Sequence, residues 1–159
     1  PDHFLSTVHA IDYSSVVPHP ELVAAIAALP GRKFILTNGD LGHAMAVLAR
    51  LGGEHLFEHI FDIRDMAFVP KPHRQAYDGF LERHGIDPMR AVMFDDLEKN
   101  LKVPHEMGIT TVQVIAHEDF VHEQVDDWEL HRSDDHEHVH HRTDDLVRFL
   151  RGESPAAAQ

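Results

Sequence analysis

The sequence predicts an α/β domain built on a doubly wound parallel sheet, and three observations carry that prediction. Unbroken apolar runs recur, Phe34-Ile35-Leu36 and Ala91-Val92-Met93-Phe94 among them, as expected of parallel strands covered on both faces. Segments with apolar residues at helical spacing lie between those runs. Proline and glycine punctuation separates the two kinds of segment, and such strand–helix alternation defines the fold class.

Each element follows in order. Phe4, Leu5, Val8 and Ile11 have helix-like spacing in a run too short to place firmly. Pro20 suits the first turn of a helix and Glu21 its positive end, with Leu22, Val23, Ile26 and Leu29 as an apolar stripe and Pro30-Gly31 as the stop. Residues 32–37 read as a buried strand and Asn38-Gly39-Asp40 as a turn. Leu41, Ala44, Met45, Leu48 and Leu51 form the next helical stripe, ended by Gly52-Gly53. Residues 60–63 read as a short strand. A helix over 73–84 follows, with Ala76, Tyr77, Phe80 and Leu81 on one face and Gly85 closing it. A second buried strand spans 91–94, a helix distorted near Pro104 spans 97–107, and a third strand spans 110–115. Beyond an acidic loop, 138–142 reads as an edge strand. Thr143 is then placed to cap a last helix through Leu150, and Ser154 begins a small-residue tail.

At 159 residues the chain suits one domain with a real core. No apolar run is long enough to span a bilayer, and no secretory leader opens the sequence. The first residue is Pro1 rather than Met, which fits a processed or truncated start. Without cysteines there are no disulfides, thiolate metal sites or cysteine nucleophiles, in keeping with a cytoplasmic protein. A formal charge of -13 argues against a nucleic-acid groove, which recruits basic patches. It leaves room for a small phosphorylated substrate held by a lysine and a metal.

Sixteen histidines are unusual, and His131, His136, His138, His140 and His141 cluster in the last third. A metal-binding tract is one reading. A solvated acidic and histidine-rich loop is preferred, because the neighbouring Asp and Glu residues suit exposure.

Three segments carry chemistry. Thr37 and Asn38 offer a hydroxyl and backbone amides where a strand meets a helix, a place that can hold phosphate oxygens, although Thr-Asn-Gly is also plain turn chemistry. Lys71 lies between two prolines that restrict the backbone and aim its side chain. It can neutralise phosphate or carboxylate charge, or serve as a surface lysine in a rigid loop. Asp95 and Asp96 end an apolar run, where two carboxylates are costly unless compensated. A hard cation such as Mg²⁺ takes oxygen ligands and is the preferred reading over helix capping by Asp96. Asn100, one turn further, is placed to steady the pair.

In this order and spacing the segments resemble the haloacid dehalogenase superfamily of phosphohydrolases. Thr37 matches its second motif, Lys71 its third and Asp95-Asp96 its fourth. His9-Ala10-Ile11-Asp12-Tyr13-Ser14, Phe57-Glu58-His59-Ile60-Phe61-Asp62-Ile63, Pro70-Lys71-Pro72, Pro104-His105 and residues 108–112 look like the pyrimidine 5'-nucleotidase branch. The resemblance covers roughly residues 9–150. It implies a Rossmann-like core over 18–151, the remnant of a helical cap over 1–17 and a tail over 152–159. It also implies a Mg²⁺-dependent phosphatase acting on a small phosphorylated substrate, a nucleoside 5'-monophosphate, through an aspartyl-phosphate. Asp96 would bind the metal with Asp95 in support, and Thr37, Asn38 and Lys71 would stabilise the phosphoryl oxygens.

The family's nucleophile lies in an Asp-x-Asp motif, and residues 1–159 contain none. Asp62 and Asp65 are too far apart to form one, and His3-Phe4 follow Asp2. The family places that motif upstream of a helical cap, so the expectation is an N-terminally truncated chain, inactive alone. The absent strand would lie between the strands at 32–37 and 91–95. Exposed strand edges would then favour homo-oligomers or aggregation. Three alternatives stay open: a phosphate- or metal-binding pseudoenzyme, a dehalogenase acting on carbon–halogen bonds, which the paired aspartates disfavour, and a histidine-rich metal-binding protein.

Overall fold

A computed structural model describes residues 12–115 and 137–153. The chain divides after Pro70 into two compact units, each built on parallel strands. The predicted α/β class with parallel pairing is what the chain adopts.

The first unit runs α1 (Pro20–Ala28), β1 (Phe34–Leu36), α2 (Leu41–Leu51) and β2 (His59–Phe61). Pro20 sits at the start of α1, where a missing N–H is harmless, and His19 Nδ1 accepts the Leu22 N–H at 3.3 Å. The helix stops where Leu29, the residue before Pro30, turns extended. Asp40 caps α2 by accepting the His43 N–H at 2.8 Å. Gly52 ends it in the left-handed conformation at φ 82°, which spares it the clash a Cβ would bring. Ala44 and Leu48 are the buried face of α2. The α2 crossover lets β1 and β2 run parallel, with Phe34 opposite His59 and Leu36 opposite Phe61. Among the described residues both strands are edges of a two-stranded sheet, and the β1 residues are half-buried rather than buried as expected.

Asp62, just past β2, locks this unit. Its buried carboxylate accepts the Leu41 N–H of α2 at 2.9 Å and the turn amides of Arg64 and Asp65 at 2.9 and 3.1 Å. The strand end and the helix start are thus held by one side chain.

The second unit opens with a cis Lys71–Pro72 peptide. It continues through α3 (Arg74–His84), β3 (Val92–Asp95), α4 (Lys102–Glu106), β4 (Thr110–Val114), β5 (His141–Thr143) and α5 (Leu146–Leu150). The strands pair in parallel in the order β3-β4-β5. The core gathers Ala76 and Tyr77 of α3 with Leu101, Pro104, Ile109, Thr111 and Val112.

Three expectations change. The helix expected over 97–107 is a 3₁₀ turn at Glu98–Asn100 followed by the short α4. Pro104 has no N–H for the Asn100 carbonyl, and Tyr77 supplies the missing donor, its hydroxyl 2.8 Å from that buried oxygen. Strand β3 is not buried on both faces, because Val92 and Phe94 point outward while Asp95 is buried. Thr143 does not cap the last helix. It lies in β5, its hydroxyl accepts the Asp145 N–H at 3.1 Å, and Asp145 caps α5 through the Arg148 N–H at 3.0 Å. The expected edge strand at 138–142 lies at 141–143. Most of the cap remnant expected over 1–17, the acidic loop with His131 and His136, and the small-residue tail fall outside the described residues.

Candidate active site

In the second unit, the end of β3 brings together three of the residues singled out in the sequence. Lys71 Nζ donates to Asp95 Oδ2 at 2.6 Å, and the two side chains are only 10% and 4% exposed. The other Asp95 oxygen accepts the Leu97 N–H at 3.0 Å and the Asn100 Nδ2 amide at 2.9 Å. The chain turns back at 97–100 immediately after the strand, which aims those donors at the carboxylate. Tyr77 fixes that turn through the Asn100 carbonyl. Burial, and after it the Asp95 charge, raises the Tyr77 phenol above its ordinary pKa, so it stays a donor.

Asp96 faces outward. Its Oδ1 accepts the Leu97 N–H at 3.1 Å, and Gln113 Nε2 holds its backbone carbonyl at 3.3 Å. Asn100 Oδ1 is buried without a hydrogen-bond donor among the described residues. That set fits a hard cation. Mg²⁺ binds through one or two carboxylates and completes its shell with water and substrate phosphate. Asp96 has oxygen to offer, whereas Asp95 already accepts three donors. The orphaned Asn100 oxygen is a further site of unmet negative potential. Among the described residues no three His, Asp or Glu side chains gather into a metal cage.

Thr37 and Asn38 belong to the first unit, at the end of β1. The Thr37 N–H donates to Phe61 O at 3.0 Å, and its hydroxyl oxygen accepts the Gly39 N–H at 3.0 Å. Asn38 is exposed. The α2 N-terminus was expected to help hold phosphate, yet its Leu41 and His43 amides donate to Asp62 and Asp40. The hydroxyl of Thr37 is therefore the main feature this loop offers an anion. Sequence reasoning missed His43, whose ring lies beside this loop and bonds Tyr13, 30 residues away.

Within the C-terminal cluster, His138 and His140 make structural contacts. His140 Nδ1 accepts the Thr111 N–H at 3.0 Å and its ring packs 4.9 Å from that of His105. His138 Nε2 lies 3.4 Å from Glu98, which also receives Arg142 at 3.1 Å. These contacts tie the β5 segment to β4, to α4 and to the turn at Glu98.

This parallel α/β fold has counterparts among known hydrolases. Residues 7–108 match the haloacid dehalogenase-like hydrolases, and the chain belongs to that family. Fructose-1-phosphate phosphatase YqaB of Escherichia coli (strain K12) is 31% identical over 112 residues, which make up 67% of this chain and 57% of that protein. An L-2-haloacid dehalogenase from Xanthobacter autotrophicus, solved with chloropropionic acid covalently bound, matches at TM-score 0.61 and 17% identity over 94% of this chain and 70% of its own. A HAD phosphatase from Thermococcus onnurineus matches at TM-score 0.59 and 18% identity, over 84% and 56%. At such identities the two structures share the fold. The chain spans a little over half the length of the curated relative it matches.

Proposed function

We propose that this chain carries the phosphate- and metal-binding part of a Mg²⁺-dependent phosphomonoester hydrolase. The observation that carries the reading is the buried Lys71–Asp95 pair set directly beside the outward Asp96 carboxylate. By the family resemblance, Thr37 and Asn38 of the first unit are assigned to phosphoryl oxygens; in the second unit Lys71 is assigned to neutralising charge and Asp96, with Asp95 in support, to holding the metal. Mg²⁺ supplies Lewis-acid stabilisation of phosphoryl charge when bound. Asp95 keeps the lysine oriented, and Asn100 keeps Asp95 oriented.

The substrate is a small phosphomonoester. The pyrimidine 5'-nucleotidase resemblance favours a nucleoside 5'-monophosphate, and the similar Escherichia coli protein makes fructose 1-phosphate the natural comparison. The absence of cysteine suits the cytoplasm, and among the described residues no helix is long and apolar enough to cross a membrane. An aspartyl-phosphate path needs a nucleophile from an Asp-x-Asp pair, which residues 1–159 lack. We therefore expect this chain alone to be inactive and a longer form to be the enzyme. The same absence favours, as second reading, a phosphate- and metal-binding pseudoenzyme.

Hydrolysis of p-nitrophenyl phosphate, UMP and fructose 1-phosphate with Mg²⁺ tests this, comparing the chain with a form extended upstream. Activity in the longer form that disappears with Asp96→Ala is the expected result. Two folded but inactive forms would establish the pseudoenzyme reading instead.

A further inference from the structure

We propose that His43 is a second phosphate-binding residue beside Thr37, set to that task by Tyr13. The inference rests on the phosphatase reading and adds one residue to the same phosphate-binding loop.

His43 lies in the first turn of α2, its backbone fixed by the Asp40 cap. Its half-buried ring is held from one side: Tyr13 Oη is 2.8 Å from Nδ1, with ring centroids 5.5 Å apart. Tyr13 is anchored in turn, since Arg50 Nε donates to its carbonyl at 3.1 Å. The Cδ2 edge of the ring lies toward Gly39. A Cβ placed on Gly39 would lie 3.3 Å from His43 Cδ2 and 3.3 Å from Thr37 Oγ1, so ring edge and hydroxyl flank a single atom position. Any side chain on Gly39 would wedge between them.

The chemistry follows from the tautomer. A Tyr13 hydroxyl that donates to Nδ1 makes that nitrogen the acceptor, and the neutral imidazole then carries its proton on Nε2. Nε2 is bonded to Cδ2, on the edge toward Gly39, and it has no hydrogen-bond partner among the described residues. In that tautomer Nε2–H is a donor on the same side of the ring as the Cδ2 that borders the Gly39 position shared with the Thr37 hydroxyl. The group that two such donors recognise is an anionic oxygen, here one of the phosphoryl group.

Inorganic phosphate titrated into the ¹⁵N-labelled full chain, with and without Mg²⁺, tests the assignment. Phosphate should shift the His43 Nε2 resonance, and His43→Leu should weaken phosphate binding about tenfold, as expected of a hydrogen bond to a charged group. His43→Gln, which keeps a side-chain N–H donor, should retain most of the affinity. Tyr13→Phe should move the His43 ring toward the other tautomer and weaken binding less, a signature that packing alone would not produce. It also serves as the test should His43→Leu fail to fold. Phosphate binding that leaves the His43 ring signals unmoved, with Tyr13→Phe binding as the wild type does, would overturn the assignment alone. A wild-type protein that binds no phosphate would overturn the phosphatase reading and this inference together.

Discussion

Lys71 Nζ and Asp95 Oδ2 stand 2.6 Å apart across 24 residues of sequence, and both side chains are buried. A buried pair adds little over an apolar one, but removing a single partner strands a charge. Lys71→Met should therefore lower the unfolding free energy by about 3–5 kcal/mol. Asp95→Asn added to Lys71→Met removes the stranded charge and keeps an oxygen for the Leu97 N–H. The double variant should recover more than half of the loss. Urea unfolding of the four members of the cycle measures the coupling, and additive losses would show that the pair is not coupled.

Tyr77 supports the same turn from beneath. Tyr77→Phe leaves the buried Asn100 carbonyl without its donor and should cost about 1–3 kcal/mol. The pH dependence has a definite sign. The folded phenol titrates above its ordinary 10.0, through burial first and the Asp95 charge second. Its contribution to stability is thus full below 10.0 and lost as the pH climbs beyond it. Ultraviolet titration of wild type against Tyr77→Phe should find no Tyr77 phenolate at pH 10 while the fold is intact.

Local signals made much of this molecule legible in its sequence, because their physics is local. Pro20 and Gly52 mark helix ends through backbone freedom alone, and both ends fall where they do in the structure. Asp95 could be read as compensated because a carboxylate after Ala-Val-Met-Phe demands a partner. That Lys71 is one such partner depended on a contact 24 residues away. The same reason hid Tyr13 behind His43 and Tyr77 beneath Asn100, since no spacing rule links residues 30 or 23 positions apart. Burial of β3 was misread from a fair premise. An unbroken apolar run signals cover on both faces, but a strand can carry the run and lack the cover.

Asp96 offers the cleanest separation of binding from folding. The residue is exposed, so Asp96→Ala should change the unfolding free energy by less than about 1 kcal/mol. A ligand that binds only the folded state stabilises it by about 2.7 kcal/mol at a hundredfold excess over Kd. Mg²⁺ should therefore raise the wild-type melting temperature in a concentration-dependent way and leave that of Asp96→Ala unmoved. Equal shifts in both proteins would place the metal elsewhere.

Strand β3 makes the last prediction. Val92 and Phe94 share one face and are 55% and 36% exposed, on a strand that among the described residues is also an edge of its sheet. An apolar edge is a template for pairing with another chain, and a charged side chain on it blocks that pairing. Phe94 meets Phe149 edge to face at 6.0 Å, so replacing it would disturb α5 as well. Val92 is the better probe. Val92→Lys should leave stability within about 0.5 kcal/mol, as surface substitutions do, while raising the monomeric fraction at a given concentration. Size-exclusion chromatography with light scattering across a concentration series reads both states. An association curve that does not change with Val92→Lys would mean that copies of this chain meet through another surface.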